Sequence, residues 1–209
     1  MTRAGNIGTV RQHKLNANTL LPPQKVTLGV TENKVQLIDL LCQHLKVNAH
    51  QLPRNKRIVV TGNDPIPFEI FQGELTQRVY LRTTHEEADI VITQQMVKLA
   101  ANGTPSIDVI CDDTDVFVLL VHFFAQEQLI CDLVMSGTSS ARTVIDIKAT
   151  VEKHADIAEK LLTAHVISGC DTVSQGYGIG KGTVLKIVGK GHSLTLLGKT
   201  TTDMDSIIE

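Results

Sequence analysis

The sequence predicts an α/β fold with a largely parallel central sheet flanked by helices. Short apolar runs typical of buried strands alternate along the chain with segments of helical periodicity, as in folds built from strand–helix–strand units. The chain has 209 residues, of which 42% are apolar, enough for one domain or one and a half with a real core. Acidic residues follow one predicted strand directly, where sites in parallel sheets are usually found.

The N-terminal elements are a lead-in, a helix and a strand. Residues 1–30 are polar and broken by Leu21-Pro22-Pro23, which predicts a loosely ordered segment. A helix is predicted from Thr31, its expected N-cap, because apolar residues recur every three or four positions as far as Leu45. A strand over 57–61 ends in a turn over 62–65, and the mixed pattern of 66–82 leaves a hairpin or a further strand open.

The central elements surround a run of acidic residues. The clearest helix is predicted over 84–102, ended by Gly103 and Pro105. A buried strand over 107–111 runs straight into Asp112-Asp113-Thr114-Asp115. The segment 116–124 is apolar apart from His122, and its periodicity does not separate a strand from a buried helix.

The C-terminal elements complete a core that we expect to span residues 31–175. Strands are predicted over 129–135 and 143–147, and a helix over 155–168. A glycine-dense loop over 176–182 then leads into residues 183–188, and the last twenty residues are weakly patterned.

Composition excludes several classes of protein. No run of about 20 apolar residues is present, so no membrane span is expected, and the N-terminus lacks the hydrophobic run of a secretory signal. The four cysteines lie far apart without a C-x-x-C pair, which argues against a disulfide framework or a structural zinc site. We therefore expect an intracellular protein of the nucleus or cytoplasm.

The formal net charge of -2 hides two opposed segments. Residues 1–83 carry 11 Lys and Arg against five acidic residues, a net charge of +6. Residues 84–115 carry seven acidic residues against one lysine, a net charge of -6. A basic segment beside a dense acidic one indicates an electrostatic function for both.

The acidic residues have two interpretations. Asp112, Asp113 and Asp115 repel one another unless a cation or solvent screens them, and oxygen ligands of this kind suit Mg²⁺ or Mn²⁺. The alternative is a solvated turn in which an Asp side chain caps the next helix. Similarly, Glu86, Glu87 and Asp89 fit the first turn of a helix, with Thr84-x-x-Glu87 as a capping box, but they would also face a metal beside the sheet.

Two later features have local explanations as well. Asp171, in Gly169-Cys170-Asp171, is a lone Asp after a helix ending in Gly, which is usually an ordinary cap, and Cys170 is expected to pack. The glycine loop matches neither a Walker A motif nor a dinucleotide fingerprint. Its backbone N–H groups around Gly178 and Gly180, together with Lys181, would suit a phosphate. A plain connector is the alternative.

Taken in order, these motifs resemble the flap-endonuclease-like 5′-nucleases, a branch of the PIN-like domains. Glu87-Ala88-Asp89, Asp113-Thr114-Asp115 and Gly169-Cys170-Asp171 are similar to the family's three carboxylate elements. Tyr177-Gly178-Ile179-Gly180-Lys181 is similar to its helix–hairpin–helix loop, which assigns residues 176–209 to such an element and tail. The chain most resembles PIN-like reading frames associated with mobile elements in animal genomes.

The resemblance implies a divalent-metal-dependent nuclease that hydrolyses phosphodiester bonds in nucleic acid, with DNA favoured over RNA. It implies that one or two Mg²⁺ or Mn²⁺ ions are bound by five carboxylates, those of Glu87, Asp89, Asp113, Asp115 and Asp171. Glu86 and Asp112 are secondary candidates. The first four of the five would be the catalytic residues. Gly178, Gly180, Lys181 and Lys186 would bind the phosphate backbone.

One departure from the family pattern leaves a second function open. Nothing before Arg57 is typical of the family's first strand, which ends in a metal-binding Asp, so we expect an N-terminally truncated chain. Loss of one ligand would impair catalysis. The alternative is a catalytically inactive PIN-like module that binds nucleic acid or protein. A third interpretation is a phosphatase-like or receiver-like domain built around Asp113 and Asp115.

Overall fold

The computed structural model describes residues 12–84, 87–139, 143–169 and 180–190. Helices and strands are both present, so the predicted α/β class is confirmed. The chain divides into two compact units, the first ending at Thr84 and the second beginning at residue 85. This boundary lies inside the span 31–175, and the predicted division at residues 30 and 175 stays a prediction.

Within residues 12–84, the first unit contains two helices and a three-stranded antiparallel sheet in the order β1-β2-β3. Short 3-10 turns at Ala49–Gln51 and Val79–Leu81 flank this sheet in sequence. Its helices and strands are α1 (Gln24–Thr27), α2 (Thr31–Val47), β1 (Arg57–Val60), β2 (Phe68–Phe71) and β3 (Glu74–Gln77).

A two-residue turn joins β2 to β3, which confirms the hairpin that the sequence left open. Gln72 and Gly73 have φ angles of 55° and 85°. Two successive positive φ angles are the requirement of the type I′ turn, whose twist matches that of the flanking strands. The register pairs Phe71 with Glu74 across this turn.

The two faces of this sheet differ in character. Directly opposite residues share a face, so Phe68 and Ile70 lie on the face that packs with Ala49 and with Cys42 and Leu45 of α2. The opposite face, which we call the outer face, carries Arg57, Val59, Glu69, Phe71, Glu74 and Thr76.

The second unit contains a second three-stranded sheet, in the order β4-β5-β6, and six helices within its described residues. Strands β4 and β5 are parallel, whereas β5 and β6 are antiparallel. Its elements are α3 (Ala88–Ala101), β4 (Ser106–Ile110), α4 (Thr114–Gln126), β5 (Asp132–Ser136), β6 (Val144–Asp146), α5 (Ile147–Lys153), α6 (Ala155–Ala158), α7 (Leu161–Ile167) and α8 (Lys181–Gly189).

The prediction of one largely parallel central sheet is therefore wrong. Parallel neighbours need a crossover of a dozen or more residues, and α4 supplies one between β4 and β5. Among the described residues, the connections β1–β2, β2–β3 and β5–β6 contain no helix, and those strands pair antiparallel. Strand periodicity alone does not show which strands pair.

The apolar run 116–124 is helical, which settles the choice that its periodicity left open. Helix α4 runs for 13 residues from the capping residue Asp113. Val116, Leu120 and Val121 on this helix pack with Leu133 of β5 in the main core of the unit. The run is apolar apart from His122 because the helix is buried on most of its surface.

Three predicted helix ends also differ from the structure. The N-cap of α2 is Val30 rather than Thr31, and α3 begins at Ala88 with Glu87 as N-cap, so Thr84-x-x-Glu87 does not form the predicted capping box. The helix predicted over 155–168 is divided into α6 and α7 by a break at residues 159–160. The predicted stop at Gly103 is confirmed, with a φ of 80°.

Helices α3 and α4 both begin at the end of the second unit where β4 finishes. Residues 102–105 join the end of α3 to β4, and residues 111–113 join β4 to the start of α4. Helix α3 packs against both β4 and α4. Both helices therefore run antiparallel to β4 and parallel to each other. Asp112, Asp113 and Asp115 lie where β4 ends and α4 begins, and Glu87 and Asp89 lie at the start of α3. We call these two helix starts and the end of β4 together the acidic edge.

Candidate functional site

A pocket of about 210 Å³ opens at the acidic edge. It lies at the carboxyl ends of the two parallel strands, which is the usual place for a ligand in sheets of this kind. Its lining combines the carboxylates of Asp112 and Asp113 with the apolar side chains of Phe117, Met135 and Ile145.

Asp113 caps helix α4. Its backbone is extended, with φ -78° and ψ 128°, and its Oδ1 atom accepts a hydrogen bond of 2.8 Å from the backbone N–H of Asp115. Its own N–H donates to the Cys111 sulfur at 3.4 Å. This is the capping interpretation that the sequence offered for the cluster, and it leaves the Asp113 side chain exposed at the pocket.

Asp112 links the ends of β4 and β5. Its carboxylate accepts hydrogen bonds from the backbone N–H of Thr138, at 3.1 Å, and from the Thr138 hydroxyl. The hydroxyl and then the N–H favour the ionised form, so the pKa of Asp112 lies below its usual value. Gly137 permits this approach, because a Cβ there would lie 2.9 Å from Asp112 Oδ1.

Asp115 pairs with a histidine from another helix. The Nε2 atom of His165, on α7, lies 2.9 Å from Asp115 Oδ1. The His165 side chain is 7% exposed and that of Asp115 is 29% exposed. A buried imidazole thus holds one oxygen of a carboxylate whose other side faces solvent. Its helix leads directly to Gly169, two residues before Asp171.

Glu87 and Asp89 open helix α3 at the same edge. Glu87 is exposed and is the N-cap residue, although its side chain forms no capping hydrogen bond. The Asp89 Oδ1 atom accepts a hydrogen bond of 2.8 Å from the N–H of Ile90. Both acids favour the positive end of the helix dipole, which accounts for them locally whether or not a cation is bound.

The predicted metal ligands share this edge without forming a compact cage. Among the described residues, no three His, Cys, Asp or Glu side chains are close enough together to hold one ion. Glu86 and Asp171 lie outside the described residues. The ligand set Glu87, Asp89, Asp113, Asp115 and Asp171 therefore stays a prediction.

The predicted phosphate-binding segment is described only from Gly180 onward, so Gly178 lies outside the described residues. Gly180 is the N-cap of α8, and Lys181 is the first helical residue. Helix α8 buries Val184 and Val188 against α7, while Lys181 and Lys186 are exposed. A lysine in the first turn faces the positive end of the helix dipole, an unfavourable position that a bound anion would relieve.

The sequence did not identify two of the residues that shape this edge. One is His165, whose ring contacts Asp115, 50 positions earlier in the chain. Thr138 follows the end of β5 and carried no signal. The sequence offers one indication that His165 is buried and paired, its position between apolar Ala164 and Val166 on a predicted helix.

None of the described helices combines the length and apolar character needed to cross a bilayer. Comparison of the chain with protein-family models, with curated proteins and with solved structures finds no match.

Proposed function

We propose that this chain is a PIN-like, divalent-metal-dependent nuclease of the flap-endonuclease-like type. The observation that carries the proposal is the acidic edge, in which five acidic residues lie at the starts of α3 and α4 and at the end of β4. Of these five, the described structure pairs only Asp115 with a basic side chain, His165. Such an excess of negative charge suits a divalent cation.

The donor chemistry fits Mg²⁺ or Mn²⁺. Both ions prefer carboxylate and water oxygens, and the exposed carboxylates of Glu87 and Asp113 offer them without desolvation. His165 contacts one oxygen of Asp115, which leaves the second oxygen for a cation. When bound, such an ion would activate water and offset charge on a scissile phosphate.

The remaining parts of the proposal concern substrate binding. Lys181 and Lys186 are exposed on α8, and α8 packs against α7, the helix that carries His165. Exposed lysines near a carboxylate site would hold phosphate oxygens without reading base sequence. The resemblance favours DNA over RNA and an intracellular location, and both stay proposals.

The test is Mn²⁺-dependent cleavage of single-stranded and flap DNA by the double variant Asp113→Asn, Asp115→Asn. Asparagine caps a helix about as well as aspartate, and its amide oxygen still accepts from His165, so this variant changes charge rather than fold. The matched control is Asp132→Asn, an exposed residue that begins β5 and therefore lies at the opposite end of the sheet.

We expect the double variant to lose at least 100-fold in rate and the control to retain wild-type rate, since metal-site carboxylates are worth several kcal/mol. A second readout is the melting temperature. A bound ion raises it in proportion to RT ln(1 + [L]/Kd). Undiminished cleavage by the double variant would rule out this edge as the active site.

A catalytically inactive binding module is the second candidate. It is favoured by the capping role of Asp113, the bonds of Asp112 to Thr138 and the Asp115–His165 pair, which together account for the cluster without a metal. This candidate predicts nucleic-acid binding that weakens steeply with salt, and no cleavage. It also predicts a melting temperature that is the same with Mn²⁺ as in metal-free buffer.

A further inference from the structure

A cluster of two arginines and one buried glutamate lies on the outer face of the first unit's sheet. Arg57 Nη1 donates a hydrogen bond of 3.0 Å to Glu69 Oε1, and Arg78 Nη2 donates to the same oxygen. The Glu69 side chain is only 4% exposed, in the central strand β2. The buried carboxylate of Glu69 thus accepts hydrogen bonds from two guanidinium groups.

The cluster carries more positive charge than its internal pairing needs. One carboxylate neutralises one guanidinium, so Arg57, Glu69 and Arg78 leave a net charge of +1. Arg54 and Lys56, both exposed, immediately precede Arg57 and add to it. Glu74 is the other acid on this face, beside the β2–β3 turn. The described residues of the whole unit carry nine Lys and Arg against five acidic residues.

Arg57 is also held by an aromatic ring. Its guanidinium carbon lies 4.4 Å from the centre of the Phe71 ring, and its side chain is 54% exposed. Contact with Phe71 and Glu69 fixes the guanidinium plane at low entropic cost, while its remaining N–H donors face solvent. A fixed, exposed guanidinium is the group that matches the oxygens of a phosphate.

A second aromatic side chain follows the cluster. Tyr80, in the 3-10 turn at 79–81, is 54% exposed and lies two residues after Arg78 in the chain. An exposed aromatic ring beside an arginine is a combination that stacks an unpaired base and contacts its phosphate. Double-stranded nucleic acid does not present a free base face to such a ring.

We propose that the outer face of this sheet binds single-stranded nucleic acid, with Arg57 on the phosphate backbone and Tyr80 stacked on a base. This inference rests on the nucleic-acid partner of the proposed function and names its form, but it does not depend on catalysis. Positive charge on the face, fixed guanidinium geometry and one exposed ring distinguish this surface from a general basic patch. An acidic peptide is the competing occupant.

The experiment measures binding of a fluorescent 20-nucleotide oligo(dT) to the full chain by anisotropy, in EDTA so that metal-dependent cleavage cannot occur. The variants are Arg57→Gln, Tyr80→Leu and Tyr80→Phe. The matched control is Lys34→Gln, an exposed residue on α2, the helix that packs against the opposite face of the sheet. Circular dichroism confirms that each variant is folded.

We expect Arg57→Gln to weaken binding roughly tenfold and to lower the salt slope by about 0.7, the value for one phosphate contact on a single strand. Tyr80→Leu should weaken binding at least fivefold, with Tyr80→Phe retaining it, because stacking needs the ring and not the hydroxyl. Lys34→Gln should change affinity less than twofold.

Three results would overturn the inference. The first is an equal loss of oligo(dT) affinity in Arg57→Gln and Lys34→Gln. The second is an affinity of Tyr80→Leu equal to that of the wild type. The third is binding of poly-glutamate as tight as that of oligo(dT). Selective loss of binding in these variants without any cleavage by the wild type would instead refute only the nuclease proposal. Any of the three results above, obtained together with Mn²⁺-dependent cleavage by the wild type, would refute only this surface.

Discussion

Replacing Asp113 by alanine is expected to destabilise the second unit through the first turn of α4. The side chain accepts a hydrogen bond of 2.8 Å from the Asp115 N–H, and loss of such a cap costs about 1 kcal/mol. Its charge at the positive end of the helix dipole adds about 0.5 kcal/mol. We therefore expect Asp113→Ala to lower the free energy of unfolding by about 1.5 kcal/mol.

Asparagine at the same position separates the cap from the charge. Asp113→Asn keeps the hydrogen-bond acceptor, and its lost dipole interaction is offset by weaker repulsion from Asp112 and Asp115. We expect its free energy of unfolding to stay within about 0.5 kcal/mol of the wild type. The contrast between the two variants is thus about 1 kcal/mol or more.

Urea unfolding followed by far-UV circular dichroism measures this contrast, since the chain has no Trp to report by fluorescence. The cap influences the whole unit because α4 carries much of its core, including Val116, Leu120 and Val121. For a unit of this size the alanine variant should melt about 5 °C below the wild type. Equal stability of the alanine and asparagine variants would refute the capping argument.

Three further predictions concern other contacts. Hydrogen bonds from the two arginines, that of Arg78 foremost, hold the pKa of Glu69 below its usual value, so its stabilising contribution is present above about pH 4.3 and is lost as the pH falls through the lower folded-state pKa. The difference in melting temperature between wild type and Glu69→Gln should accordingly shrink between pH 6 and pH 3, and a constant difference would contradict the ion-pair role. His165→Leu should cost about 1–3 kcal/mol in urea unfolding, because it leaves Asp115 without its buried donor, whereas His165→Gln should cost less. Gly137→Ala should cost about 1–2 kcal/mol, because the new Cβ would lie 2.9 Å from an Asp112 oxygen, and a neutral result would show that this contact relaxes freely.

Local patterns in the sequence predict an element well where that element depends on interactions between residues close together in the chain. The helix from residue 31 and the stop at Gly103 follow from apolar spacing and from the need for a positive φ. The strand over 57–61 is observed as β1. Each of these depends on interactions within a few residues, which a single sequence displays directly.

Strand pairing is where prediction from the sequence fails. An apolar run such as that of β5 has the same appearance beside a parallel or an antiparallel neighbour. The length and content of the connections decide which strands pair and in which direction. The connection between β4 and β5 contains the segment 116–124, and its periodicity did not identify it as a helix. The error over the sheet and the open choice over that segment therefore have the same origin.

The candidate site shows a similar division. The acidic cluster after β4 was predicted to lie at the end of a strand, and it does. Its partners were not predicted, because His165 and Thr138 lie 50 and 26 positions away from the carboxylates that they contact. Charge repulsion within a cluster can be inferred from sequence, whereas the distant donors that relieve it cannot.

The shared oxygen of Glu69 links two properties of the first unit that are usually adjusted separately. The same carboxylate orients Arg57 and Arg78 and neutralises one of their two charges. Removing it would raise the positive charge that a polyanion meets, at the expense of the fixed orientation of Arg57, and would at the same time weaken the sheet. Variants selected for tighter binding of polyanions should therefore tend to be less stable, and stabilised variants should tend to bind less well. In this unit, affinity for polyanions and stability both depend on the Oε1 atom of Glu69.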